Sequence, residues 1–281
     1  MDRLLTTRAL IEAALAEDVG EGDWTTRWTI PAERVAEARI LAKETGTLAG
    51  LEVARECFLA VDPALDVQLS AADGDPVEPG REVLRVRGPA RSILTAERVA
   101  LNFLQRLSGV ATLTRRYVEM VEGTGARILD TRKTTPGMRA LEKAAVRAGG
   151  GTNHRFGLHD MVLIKENHIR AAGGITAAVE AVRKQNDRAL AVEVETTTLG
   201  EVDEATEAGV DRILFDNMPL DVLLSAVLRV RADAPGIETE ASGGVNLATV
   251  RAVAETGVDF ISVGALTHSA PSLDLSLLIE L

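Results

Sequence analysis

Three features of the sequence predict an α/β fold in which an α+β layer is followed by an α/β barrel. Six short apolar runs in the second half each end on a polar residue or a glycine: RILD at Asp130, MVLIK at Lys165, LAVEVE at Glu195, RILF before Asp216, IETEA before Ser242 and FISV before Gly264. Segments with helical spacing lie between them, such as TAAVEAVRKQ (176–185), LGEVDEATEAG (199–209) and LATVRAVAETG (247–257). The first hundred residues carry a different rhythm of short strands and turns. Runs rich in Ile, Val, Leu and Phe read as strands buried on both faces. Their regular alternation with helices is the pattern of βα units around a parallel sheet. Such barrels place their active sites at the carboxyl ends of the strands, where each of these residues falls. The pattern predicts an enzyme.

In chain order, LLTTRALIEAALAED (4–18) is an amphipathic helix with apolar residues at positions 4, 5, 11 and 15. EARILAKETGTLAG (37–50) alternates as a strand until Gly46 and Gly50 punctuate it. A helix at 51–60, a strand near 65–70, the turn DGDPVEPG (73–80) and a strand EVLRVRG (82–88) follow. That turn resembles the hairpin of a biotinyl or lipoyl carrier domain, but no lysine occurs between positions 44 and 132 to carry the group. From Ser92 to Glu122 the sequence predicts one or two long helices broken at Ser108–Gly109, and the domain boundary is placed there. The expected organisation is an N-terminal domain at 1–108, a barrel at 109–270 and a segment at 271–281 returning to the first domain.

The single cysteine, Cys57, excludes an intrachain disulfide and a thiolate metal cage, which fits a reducing compartment. No signal peptide or membrane-spanning stretch is read, so a cytoplasmic location without a membrane partner is expected. A formal net charge of −11 argues against a nucleic-acid surface. The cations are unevenly used: of 31 basic residues only five are lysines, and Lys133 and Lys165 stand at or just after strand ends. Arg132, His154 and Arg155 lie nearby in sequence. A cationic pocket in an acidic protein implies a small, strongly anionic substrate.

The string ILDTRKTTPGMRALEKAAVRAGGGTNHRFGLHDMVLIKENHI (128–169) resembles the central block of the quinolinate phosphoribosyltransferases, and the likeness runs nearly the whole chain. EDVGEGDWT (17–25), TAERVALNFLQRLSG (95–109), VEVET (192–196), LFDNM (214–218), ASGGV and SVGALTHS are similar to further blocks of that family, in its order. The resemblance implies an N-terminal α/β sandwich domain and a C-terminal, somewhat open α/β barrel. It implies a homodimer, or a dimer-based higher oligomer, with sites shared between subunits. It also implies the reaction of quinolinate with phosphoribosyl pyrophosphate and Mg²⁺ to give nicotinate mononucleotide, pyrophosphate and carbon dioxide. A molybdenum-transport-associated homologue of the same fold, a nicotinate phosphoribosyltransferase and a non-catalytic barrel are the alternatives. The intact cationic set, its density and the retained acids disfavour them in turn. Glu166, where the family often has Asp, is a departure that leaves Lys165 in place.

The family's quinolinate-binding motif maps onto Arg98, Arg132, Lys133, His154, Arg155 and Lys165. Two adjacent carboxylates call for guanidinium forks and ammonium point charges. Ser242, Gly243 and Gly244, with Gly264 in the last block, are expected to receive phosphate, because glycines let backbone N–H groups approach it, and His268 is expected among the substrate-binding residues. Glu195 and Asp216 suit the ribose hydroxyls, directly or through Mg²⁺, and with Lys133 form the expected catalytic set. No protein cage for the metal is expected. Glu193 points to the same face as Glu195 and either shares its role or belongs to a deeper layer; Glu195 is preferred. Arg139, Lys143 and Arg147 read as the outer face of the helix after TRK.

Overall fold

The computed structural model describes residues 6–280. Two compact units interleave along the chain. The first holds the chain up to Arg115, Thr134–Gly150 and everything from Leu266 on; the second holds Arg116–Lys133 and Gly151–Ala265.

The first unit begins with α1 (Thr7–Val19) and α2 (Trp24–Thr29), and residues 4 and 5 of the expected first helix lie outside the described residues. Thr6 caps α1, its hydroxyl accepting from Ala9 N at 3.1 Å. There follow β1 (Val35–Ala42), β2 (Gly46–Thr47), α3 (Leu51–Val61), β3 (Asp66–Leu69), β4 (Pro76–Val77), β5 (Glu82–Pro89) and the long α4 (Ala90–Met120). The sequence DGDPVEPG is more than a turn, since β4 within it pairs with β2. The chain's last strand, β12 (Leu275–Glu280), pairs antiparallel with β1 and completes a four-stranded sheet of order β12-β1-β5-β3. On β1, Ala36, Ala38, Ile40 and Ala42 are buried while the residues between them are not, the period-2 pattern of a half-buried sheet. Helix α4 runs unbroken through Ser108–Gly109, against the expected interruption. Both residues are buried, and a Cβ on Gly109 would overlap the carbonyl of Pro271. The glycine is there for close backbone packing, not to end a helix.

The second unit contains β6 (Arg127–Leu129), β7 (Val162–Ile164), α6 (Glu166–Ala172), α7 (Ile175–Arg183), β8 (Val192–Thr196), α8 (Leu199–Glu207), β9 (Arg212–Asp216), α9 (Leu220–Asp233), β10 (Glu238–Ser242), α10 (Val250–Ala254) and β11 (Phe260–Ser262). Its six strands form one parallel sheet of order β6-β11-β10-β9-β8-β7. The edge strands β6 and β7 are not paired with each other, so the barrel is open at that seam. Between them in sequence, α5 (Arg139–Ala148) belongs to the first unit, as does α11 (Ala265–His268) apart from its first residue.

Helix α5 corrects one expectation. Lys143 is buried, 2% exposed, and Arg139 is half-buried, leaving only Arg147 on an outer face. Its neighbour Glu142 is fully buried and is held by Arg106 Nη2 at 2.8 Å and by the backbone N and hydroxyl of Thr135 at 2.9 and 2.8 Å. Arg106 also donates to the carbonyls of Ala270, at 2.9 Å, and Thr267. A buried carboxylate is tolerable with this many donors. The charges on α5 therefore tie the loop after Lys133 and the segment after β11 to α4.

Candidate active site

Strand alternation stacks an unusually polar interior in the barrel. In register, Glu193 lies beside Arg212, Leu214 beside Glu240, and Asp216 beside Ser242. The same face carries Glu193 and Glu195 of β8, Arg212, Leu214 and Asp216 of β9, Glu238, Glu240 and Ser242 of β10 and Phe260 and Ser262 of β11, with Asp216 and Ser242 at the carboxyl ends of their strands. At the base, Arg212 donates to Glu238 Oε2 at 2.7 Å and Glu240 Oε2 at 3.1 Å, and lies 4.1 Å from the Phe260 ring.

Above this stack opens a cavity of about 660 Å³. Arg132, Lys133, His154, Arg155, Lys165, Glu195, Asp216, Ser242, Gly243 and Gly244 line it. Of the other site residues read from the sequence, Gly264 follows β11 but is not among the lining residues. Arg98, on α4, and His268, whose Nδ1 is 2.6 Å from Ser269 Oγ, belong to the first unit and are exposed.

Asp130, one of the strand-end residues expected at the active site, instead supports a neighbouring loop. It is fully buried and does not line the cavity. Its two oxygens accept from Asn153 Nδ2 at 2.6 Å and the backbone N of His154 at 2.9 Å. It thereby fixes the loop that presents His154 and Arg155. Arg155 donates through Nη1 to the Met161 carbonyl at 3.1 Å, and its buried Nε has no hydrogen-bond partner among the described residues. Burial, and then the neighbouring Arg132 charge, hold its guanidinium pKa below the ordinary value. Two neighbouring guanidinium groups, one partly desolvated with an unmet donor, are an arrangement suited to an anion.

Lys165, the N-cap of α6, reaches across to pair with Glu195 on the neighbouring strand, and its backbone N donates to His168 Nδ1 at 3.0 Å. On the opposite wall, Asn217 sits in the left-handed region at φ 54°, donates through Nδ2 to Asp216 Oδ2 at 2.8 Å and through its backbone N to the Ser242 carbonyl at 2.9 Å. Gly243, at φ 89°, passes so close to this carboxamide that any Cβ would overlap it. Gly243 is thus required both by conformation and by the Asn217 side chain beside it, whereas Gly244, at φ 63°, is favoured by conformation alone. Asn217 and Glu240 are lining residues that the sequence reading did not single out. Strand parity offered a signal for Glu240, which precedes Ser242 by two; nothing local marks Asn217.

Glu193 is fully buried below Glu195, so it occupies a deeper layer. His154 Nε2 lies 3.1 Å from Glu193 Oε2 and 3.5 Å from Glu240 Oε2.

The geometry gathers four cations around one space with carboxylates and a glycine cradle at its rim, a combination suited to a dianionic acceptor and a phosphorylated sugar. Comparison with known proteins agrees. Residues 23–108 match the model of the quinolinate phosphoribosyl transferase N-terminal domain, and residues 110–278 that of its C-terminal domain. A probable nicotinate-nucleotide pyrophosphorylase [carboxylating] of Synechocystis sp. is 48% identical over 94% of this chain and 89% of its own length. A protein of Bacillus subtilis with the same description is 44% identical over 97% of this chain and 93% of its own. The solved structure of the nicotinate-nucleotide pyrophosphorylase from Francisella tularensis superposes with a TM-score of 0.91 at 39% identity, covering 98% of this chain and 96% of that one. Both domain models and relatives spanning nearly the full length place this chain in the quinolinate phosphoribosyltransferase family.

Proposed function

We propose that this pocket binds quinolinate and the Mg²⁺ complex of phosphoribosyl pyrophosphate. It transfers the phosphoribosyl group to the pyridine nitrogen with loss of carbon dioxide, a step of pyridine nucleotide biosynthesis. The observation that carries this reading is the partly desolvated Arg155 guanidinium beside Arg132, whose buried Nε has no hydrogen-bond partner among the described residues. Arg132, Lys133, Arg155 and Lys165 hold the two ring carboxylates. The turn at Ser242–Gly244 receives phosphate. Loss of pyrophosphate builds positive charge on the ribosyl carbon, and Glu195 and Asp216 at adjacent strand ends stabilise it in place. Glu195 already pairs with Lys165 and Asp216 accepts from Asn217, so the donor set fits a Mg²⁺ carried on the oxygens of the sugar pyrophosphate rather than on protein ligands. When bound, such an ion would supply positive charge to offset that of the leaving pyrophosphate.

Arg98 is exposed on α4 and its side chain forms no ion pair or hydrogen bond among the described residues, which suits a residue that completes the site of a second subunit. A cytoplasmic homodimer is the proposed working form. Among the described residues no helix is long and apolar enough to cross a membrane.

Purified protein mixed with quinolinate, phosphoribosyl pyrophosphate and Mg²⁺ should yield nicotinate mononucleotide without ATP. Nicotinate should not substitute, because a site built for two carboxylates leaves buried charge unpaired when one is missing. Comparable turnover with nicotinate would overturn the assignment. For the dimer, Arg98→Ala and Lys133→Ala should each be inactive alone, whereas freely exchanged mixtures should regain about a quarter of wild-type activity, since half the dimers are mixed and each carries one intact site. No recovery in confirmed heterodimers would place Arg98 outside the partner's site.

A further inference from the structure

Below the pocket, His154, Glu193 and Glu240 bring one ring nitrogen and carboxylate oxygens within 4.8 Å of one another. Both glutamates are fully buried. Neither oxygen of Glu193 nor Oε1 of Glu240 has a well-formed hydrogen bond among the described residues. The spacing is that of a cation site, but the histidine speaks against one. Its Nδ1 accepts from the backbone N–H of Arg155 at 2.7 Å, so the ring hydrogen sits on Nε2, the nitrogen that faces the carboxylates. A metal-ligating histidine has the reverse arrangement, with a lone pair toward the ion and the other N–H donated away. Arg212 Nη1, 3.1 Å from Glu240 Oε2, already supplies positive charge there.

The single Nε2–H of His154, nearest Glu193 Oε2, cannot serve three unpartnered carboxylate oxygens, so what the site lacks is a further hydrogen, not an ion. Two adjacent buried carboxylates do not both ionise readily, and a protonated carboxyl becomes the missing donor for its neighbour. We propose that Glu193 and Glu240 share one proton beneath the pocket, and that this pair is the store from which the ring carbon is protonated as carbon dioxide leaves. The proposal rests on the decarboxylating transfer described above. In that step the bond to the 2-carboxyl carbon breaks, its electron pair stays on the ring carbon and carbon dioxide departs neutral. The ring carbon then takes one proton, leaving the pair doubly ionised until it refills from solvent. Glu240 lines the cavity and delivers the proton; Glu193, beneath it, is a positioning residue. His154 is not a relay through the ring, because Nδ1 is committed to Arg155 N.

The surroundings poise the pair near neutrality. Burial, and for Glu240 the neighbouring Glu193 as well, pushes both carboxyls up to about 7. Arg212 from β9, His154 and Arg155 from the loop before β7, Lys165 after β7 and the Ser262 hydroxyl from β11 oppose that rise. A group so balanced gives up and regains a proton at physiological pH.

The test is single-turnover chemistry in Glu240→Gln and Glu193→Gln, which keep shape but cannot share a proton. Pyrophosphate formation should stay within about threefold of wild type, while nicotinate mononucleotide formation slows about 100-fold or more and the undecarboxylated adduct accumulates. Equal slowing of both products would mean that the pair serves transfer, and mononucleotide formation near the wild-type rate would mean that it serves neither; each overturns the proposal. Should the variants fail to fold, infrared difference spectra of the wild-type protein decide. A buried protonated-carboxyl band should fade as pH rises through about 7. Its absence below that pH would refute the shared proton.

Discussion

Replacing Arg155 separates function from stability. In the free protein this guanidinium is partly desolvated beside Arg132, and its Nε is unpartnered. Arg155→Ala removes about one net hydrogen bond, to the Met161 carbonyl, worth about 1 kcal/mol. It also relieves the repulsion from Arg132, which offsets that loss. The melting temperature should therefore move little. On the proposed reading, the same side chain meets bound substrate with a charge-assisted fork in a partly desolvated pocket, and its truncation should remove about 2–5 kcal/mol of transition-state binding. At about 1.4 kcal/mol per factor of ten, kcat/KM should fall about 30-fold to several thousand-fold. Arg155→Lys should recover only part of the loss, because an ammonium keeps the charge but not the planar fork. Steady-state kinetics with quinolinate varied, beside thermal melts, gives both numbers. The reasoning fails if kcat/KM stays within about threefold of wild type, or if activity and melting temperature collapse together.

Lys165→Ala, which breaks the pair with Glu195, should cost activity on a similar scale, whereas Lys184→Ala, at the C-cap of α7 and outside the cavity lining, should be neutral in the same assay. Gly243→Ala should destabilise by about 1–3 kcal/mol and raise the KM for phosphoribosyl pyrophosphate, since φ is 89° and the new methyl overlaps Asn217; Gly236→Ala, with nothing within 4 Å, should leave melting unchanged or slightly raised. Because the folded-state pKa of the Glu193–Glu240 pair is raised to about 7, its proton contributes stability that is fully present below the ordinary carboxylate range and is lost as pH rises through about 7. Chemical denaturation across that window should show a loss on the order of 3 kcal/mol, which Glu240→Gln flattens. EDTA should abolish turnover and leave the circular-dichroism melt in place if the metal travels with the substrate, and a large drop in melting temperature would show a structural ion instead.

The parallel barrel was legible because its evidence is local and periodic. RILD, VLIK, VEVE and RILFD show apolar runs of strand length, and each reaches its polar residue where the strand turns toward a helix. Parity placed Glu193 and Glu195 on one face from sequence alone, and the fully buried Glu193 shows which is the deeper. The long helix was legible in extent but not in continuity. Gly109 reads as a break until the Pro271 carbonyl that it accommodates, 162 positions later in the chain, is seen against it.

Chain neighbours determined secondary structure, the strand-end placement of Lys165, Glu195, Asp216 and Ser242, and the charge character of the pocket. Tertiary structure alone decided which charges are buried. Lys143 and Glu142 sit on a helix as charged as any surface helix, and only Arg106 from α4 and Thr135 make the interior acceptable to Glu142. Asp130 ends a strand as Asp216 does, yet one is spent on the backbone of His154 and the other faces the cavity. Hydrophobic period is a property of residues a few positions apart, whereas the cost of burying a charge depends on donors and acceptors contributed by distant strands. The first is written in the order of the residues. The second exists only once those strands are side by side.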